Sequence, residues 1–158
     1  MDETNEEILR SQLRTLDRLY KESDRICGDY AAHFGMNNTA FWVMYALSHT
    51  ERDLTQNDLC AEWFFPVQTI NSAVSGLVKN GLVCLEQIPG TKNRKKLVLT
   101  DAGRELCRTS ISKVDEIERA ALMSFTDEER EQYLALFRRH LEYLKREKSR
   151  IFGENGEK

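Results

Sequence analysis

Apolar residues recur at intervals of three and four through almost the whole chain, and the helical rhythm breaks only between Leu82 and Leu99. There two short β-prone runs, residues 82–88 and 95–99, flank Pro89-Gly90-Thr91-Lys92-Asn93-Arg94, a stretch rich in turn chemistry. One hairpin in an otherwise helical chain excludes sandwiches, barrels and alternating α/β folds. The expected class is mostly α with a small β-hairpin.

The helical segments are read from their stripes and their ends. Leu9, Leu13, Leu16, Tyr20, Ile26, Tyr30 and Phe34 predict one long amphipathic helix over residues 4–33, closed by Gly35. Asn38 or Thr39 is expected to cap a second helix running to about His49, apolar nearly all round and therefore central. Thr55 with Asp58 three residues later predicts a capped third helix ending near Trp63. Pro66 suits the first turn of a fourth helix, whose buried stripe is expected to be Ile70, Val74, Leu77 and Val78, and Asn80-Gly81 stops it. Thr100 opens a fifth helix with Leu106, Ile111, Val114, Ile117 and Leu122 on one side. Thr126 and Glu129 form a second capping box, ahead of a helix lined by Tyr133, Leu136, Phe137, Leu141 and Leu144. A polar, frayed tail is expected after Phe152.

Composition narrows the function classes. At 158 residues with 41% hydrophobic and 31% charged residues, the chain reads as an ordinary water-soluble protein, with no run of the roughly 20 apolar residues that a membrane span needs. Its acidic start lacks the apolar core of a secretory signal, so a cytoplasmic location is expected. Cys27, Cys60, Cys84 and Cys107 are widely spaced, which argues against a zinc site and makes them small hydrophobes in a reducing compartment. His33, His49 and His140 form no ligand pattern, and no metal or cofactor is expected. No phosphate loop, dinucleotide fingerprint or nucleophile–base set occurs, so catalysis is not expected.

The net charge of −3 hides an asymmetry. Residues 1–65 carry −6 and residues 66–100 carry +4, with four of the five basic groups of the latter inside Lys92–Lys96. A cationic hairpin directly after two short helices joined by a tight turn is an arrangement suited to duplex DNA. The second helix of such a pair fits the major groove, about 12 Å wide. The residues of the fourth helix that avoid its buried stripe are Gln68, Thr69, Asn71, Ser72, Ser75 and Lys79, whose amides and hydroxyls can read base edges or grip phosphates. Arg94 suits a narrow minor groove, and Lys92, Lys95 and Lys96 suit phosphates, although strand alternation sends Lys95 and Lys96 to opposite faces. Thr55, at the start of the third helix, completes the expected DNA-contact set.

Leu54-Thr55-Gln56-Asn57-Asp58-Leu59, Thr69-Ile70-Asn71-Ser72-Ala73-Val74, Leu77-Val78-Lys79-Asn80-Gly81-Leu82-Val83, Arg94 and Leu97-Val98-Leu99-Thr100-Asp101-Ala102-Gly103 together resemble the MarR family of bacterial transcriptional regulators. The resemblance is most specific over residues 54–103, and its most telling piece is Leu-Thr-x-x-Gly after a basic wing. It departs from the family at the wing, where Lys92-Asn93-Arg94 stands in place of Asp-x-Arg, so the acid that helps fix the arginine is missing. The resemblance implies a winged helix-turn-helix lobe over residues 37–100 and a helical dimerisation lobe from residues 1–36 and 101–158. It implies a homodimeric regulator, by default a repressor, on a pseudo-palindromic operator. Independently, the long helices carry apolar stripes that a lobe of roughly 65 residues could hardly cover. Half-sites one helical turn apart, roughly 34–36 Å, would suit such a dimer.

Tyr30, Phe34, Phe41, Trp42, Tyr45 and Trp63 are the candidate residues for a small aromatic or lipophilic effector near the junction of the two lobes, the alternative being plain core packing. Two further readings stand beside the regulator: a winged-helix protein-interaction module without DNA binding, and a thiol-based redox sensor.

Overall fold

The structure, a computed structural model, describes residues 3–153. The first helix, α1 (Glu3–His33), ends as Gly35 predicts. Gly35 takes φ +67°, its N–H bonds to Ala32 O at 3.0 Å and that of Met36 bonds to Ala31 O at 2.9 Å, which satisfies the last carbonyls. Helix α2 (Asn38–Ser48) is central as expected, burying Ala40, Phe41, Val43, Met44, Ala46 and Leu47. Its cap is Asn37 rather than Asn38 or Thr39: Asn37 Oδ1 accepts from Ala40 N at 2.8 Å, while Asn38 already lies in the helix and accepts from Trp42 Nε1.

Helix α3 (Gln56–Trp63) carries the full Thr55/Asp58 capping box and ends at Phe64, a non-glycine residue in the left-handed region with φ 56°. Helix α4 (Val67–Lys79) follows. Pro66 sits one position earlier than expected, at the cap, where its carbonyl accepts from Thr69 N and Ile70 N and its missing N–H costs nothing. The buried stripe is Ile70, Ala73, Val74 and Leu77, and Val78 lies outside it at 39% exposure. At 100° per residue Val78 falls roughly 80° from Ile70, past one edge of the stripe, while Ala73 holds the opposite edge at roughly 60°.

Strands β1 (Val83–Gln87) and β2 (Lys95–Leu99) pair antiparallel with Val83 opposite Leu99 and Gln87 opposite Lys95. Leu54 joins as an isolated bridge to Leu97, tying the wing base to the approach to α3. Helix α5 (Asp101–Leu106) begins at Thr100, whose hydroxyl accepts from Gly103 N at 3.0 Å and donates to Gly81 O at 2.6 Å. A Cβ on Gly103 would lie 2.0 Å from Leu82 O, so only glycine fits there. The Leu-Thr-x-x-Gly segment is therefore a clamp that holds the start of α5 against the α4–β1 turn.

The expected fifth helix is interrupted by a π-helical turn, Cys107–Ile111, before α6 (Ser112–Met123). Three hydroxyls bond back to carbonyls four residues earlier: Thr109 to Glu105, Ser110 to Leu106 and Ser112 to Arg108, a local competition that favours such departures from the α-helix. Helix α7 (Asp127–Phe152) starts with the predicted Thr126/Glu129 box. The expected frayed tail lies, beyond Gly153, outside the described residues.

Two compact units result, one ending at Val114 and the other beginning at Asp115. The first holds one continuous core of α2, α3, α4, the hairpin base, the π-helical turn and the end of α1. In the second, Phe125, Tyr133 and Phe137 stack at 6.2–6.3 Å, and Leu134, Leu136, Phe137, Leu141 and Leu144 are each more than a third exposed.

Candidate nucleic-acid interface

Helix α4 owes its outward face to its own amphipathicity. Once Ile70, Ala73, Val74 and Leu77 are buried, Gln68, Thr69, Asn71, Ser72, Ser75 and Lys79 are all exposed. None of these six is packed into the interior. Asn37 and Thr39, from the start of α2, line a cleft of about 400 Å³ with Gln68, Thr69 and Ser72, extending the polar surface past the helix itself.

The wing is built to hold its tip in one shape. Ile88 N bonds to Arg94 O at 2.9 Å beyond the last strand pair, Gly90 turns at φ +75°, and Gln87 Nε2 donates to Thr91 O at 2.8 Å. Lys92, Asn93, Arg94 and Lys95 are exposed on this frame. Arg94 and Lys95 line a cleft of about 290 Å³ with Asn93, Leu85 and the first residues of α3, Thr55, Gln56 and Asn57. The wing cations thus face the positive end of a helix, a combination that favours an anion such as a phosphate.

Two members of the expected contact set are spent elsewhere. Thr55 is 7% exposed, and its hydroxyl donates to Asp58 Oδ2 at 2.7 Å and accepts from Asp58 N at 3.2 Å, so it holds the helix start rather than presenting a side chain. Lys96 turns to the other face of the strand, where Nζ meets Asp53 Oδ1 at 2.9 Å and Glu86 Oε2 at 3.9 Å. The hydrogen bond to Asp53 holds its pKa above the usual lysine value. Arg52 is likewise bound to Glu62. Gln56 and Asn57 lie outside the contact set expected from the sequence; their place in the first turn of a capped helix is the signal that points to them.

Asp58 bears on the missing wing acid. Hydrogen bonds from the Thr55 hydroxyl and amide hold its carboxyl below the usual aspartate range, and the positive charges of Arg94 and Arg52 add to the effect. A carboxylate from α3 therefore shares the electrostatic environment of Arg94 where the family pattern has one in the wing.

The six candidate effector aromatics collect in the first unit. Phe34 stacks on Phe41 at 6.4 Å, Phe41 meets Trp42 edge-on at 5.4 Å, and Trp42, Tyr45 and Trp63 surround one another at 5.1–5.9 Å. Tyr30 packs against the same core. Phe41 has no exposed surface, so in this conformation it backs the cluster and offers no face to a ligand.

The cysteines differ in environment. Cys107 is buried, its thiol points to Met44 O at 3.9 Å, and burial pushes its pKa up to about 11, which suppresses the reactive thiolate. Cys27, Cys60 and Cys84 are half-buried. Among the described residues no group of three or more His, Cys, Asp or Glu side chains is arranged to hold a metal ion, and no helix is long and apolar enough to cross a membrane.

The sequence model of the MarR family matches residues 34–92. No curated protein sequence matches the chain. Among solved structures, a MarR/EmrR family transcriptional regulator from Acinetobacter sp. ADP1 is 18% identical, with 88% of this chain and 98% of that one covered at a TM-score of 0.71. MepR of S. aureus in complex with DNA is 22% identical, with 84% and 97% covered at 0.70. A putative MarR family regulator from Listeria monocytogenes complexed with 26mer DNA is 20% identical, with 92% and 97% covered at 0.70. With the element order and the hairpin wing in agreement, the chain has the winged helix-turn-helix fold of these structures, and its residues 34–92 are similar to the MarR family.

Proposed function

We propose that this protein is a sequence-specific DNA-binding regulator of transcription that acts without catalysis. The observation that carries the reading is the exposed polar face of α4 in the same unit as a hydrogen-bonded wing whose tip presents Lys92, Arg94 and Lys95. In this reading α4 lies in the major groove, with Gln68 and Asn71 bonding to base edges and Ser72, Ser75 and Lys79 meeting bases or phosphates. Arg94 enters the adjacent minor groove. Two relatives of the same fold were solved with DNA, which supports the assignment.

The active species is read as a homodimer on a pseudo-palindromic operator. The apolar residues exposed along α7, Leu134, Leu136, Phe137, Leu141 and Leu144, support a second copy as their cover. The dimerisation lobe is taken as residues 1–36 and 101–158, the DNA-binding lobe as residues 37–100, and the location as the cytoplasm. Repression is the proposed mode of action. Release by a small aromatic or lipophilic effector is proposed at the Trp42, Tyr45 and Trp63 ring cluster, with Tyr30 and Phe34 beside it.

A gel-shift titration against duplex DNA at increasing salt tests the central claim. Four interface cations per protomer, Lys79, Lys92, Arg94 and Lys95, give eight per dimer and a slope of log K against log salt of about −7. Affinity should then fall about 10⁴-fold between roughly 50 and 200 mM salt. Binding that ignores salt would refute the proposed interface and favour a protein-interaction role.

A further inference from the structure

Two apolar side chains of α4 are exposed, Val78 near its end and, more fully, Val67 at its start. Val67, the first residue of the helix, is 57% exposed. It stands one helical turn, four residues, before Asn71, so the two lie next to each other on the same strip. The chain start there is held firmly: Phe64 in its left-handed conformation and Pro66 with its fixed φ set the direction in which α4 begins. Val67 is therefore placed by backbone geometry, and its isopropyl group gains nothing from the core that buries Ile70, Ala73, Val74 and Leu77.

The first residues of a recognition helix are those that reach base edges. In the major groove the only apolar group on any base edge is the C5-methyl of thymine. An exposed valine beside an asparagine on that strip matches an A·T-containing step, the asparagine bonding to adenine and the valine packing on a methyl. We infer that Val67 is a specificity-determining residue that reads a thymine methyl group next to the base pair contacted by Asn71. This deepens the DNA-binding reading proposed above and rests on it.

The test begins with duplexes selected by the full-length protein from a random library. Each thymine of the selected site is then replaced singly by deoxyuridine, which removes the methyl group and leaves base pairing intact. The parent protein should lose about fourfold in affinity at one thymine per half-site, the equivalent of roughly 0.8 kcal/mol for one buried methyl. Val67→Ala should bind the thymine duplex more weakly and show no further loss with deoxyuridine at that position. Because Val67 is outside the core, Val67→Ala should melt with the parent, and a circular dichroism melt verifies this. A parent indifferent to every deoxyuridine, or a Val67→Ala protein that loses as much as the parent, overturns the assignment while leaving DNA binding intact. Failure to select any duplex overturns the DNA-binding reading and the inference with it.

Discussion

Replacing Gly103 by alanine should damage this fold more than any other glycine-to-alanine change inside its helices. The added Cβ would lie 2.0 Å from Leu82 O and 3.0 Å from the Leu82 carbonyl carbon, both rigid backbone. Relief requires α5 and the α4–β1 turn to separate by more than about 1 Å, a displacement on the scale of overpacking costs of about 1–3 kcal/mol. That movement also strains the Thr100 N to Leu82 O bond at 3.1 Å and the Thr100 hydroxyl bond to Gly81 O, each worth about 1 kcal/mol. Alanine's better helix propensity returns about 1 kcal/mol. The net expectation is a loss of about 3 kcal/mol. Urea unfolding followed by circular dichroism, at fixed protein concentration because association would add to stability, measures it directly. Gly76→Ala in α4 is the control, since its Cβ meets nothing within 4 Å, and it should be neutral or up to about 1 kcal/mol stabilising. If Gly103→Ala unfolds at the parent's midpoint, the close approach does not constrain the fold and the clamp reading of Leu-Thr-x-x-Gly is wrong.

Three other outcomes follow from named contacts. Arg94→Ala should weaken DNA binding more than tenfold, while Lys96→Ala, which removes a group already bound to Asp53, should change affinity less than threefold; equal losses in a gel shift would contradict the division between the two faces of β2. Burial keeps Cys107 protonated to about pH 11, whereas the unfolded thiol titrates near 9, so the folded state loses stability as pH rises from about 9 to 11. The loss should approach 2–3 kcal/mol for the parent relative to Cys107→Ala in urea melts at pH 8 and 11, and parallel profiles would exclude it. Asp58 has a depressed pKa in the fold, so its contribution is full at neutral pH and disappears as pH falls below about 4. Thr55→Ala should cost about 1 kcal/mol at pH 7 and flatten that acid dependence, and an unchanged acid profile would dissociate the cap from Asp58.

The order of elements was legible because each boundary carries a local chemical marker. Thr55/Asp58 and Thr126/Glu129 close reciprocal hydrogen bonds over three residues, and no tertiary contact is needed to foresee them. Asn38 and Thr39 both read as caps in the sequence, yet it is Asn37 that accepts from Ala40 N. Val78 follows Val74 by one turn and so reads as core, yet the depth of burial is decided by the neighbouring elements, which a single sequence does not show. The π-helical turn is hidden for a related reason: Cys107, Ser110, Ile111 and Val114 fit an α-helical stripe equally well, and only the hydroxyls of Thr109, Ser110 and Ser112 mark it. At the candidate interface, the polar face of α4 was readable from its buried complement. The withdrawal of Lys96 was not, because it depends on Asp53, 43 residues away, whereas that of Thr55 follows from its capping box with Asp58.

The internal ion pairs of Lys96 and Arg52 shape how such a chain would search a genome. With those two cations paired internally and an overall charge of −3, attraction for arbitrary duplex is left to the cations of α4 and the wing, and salt weakens it steeply. Encounters away from the cognate site would be brief, and hopping through solution would outweigh sliding along the contour. Residence time would then depend on hydrogen bonds and apolar contacts at the target itself, giving a large gap between target and background at the cost of slower arrival.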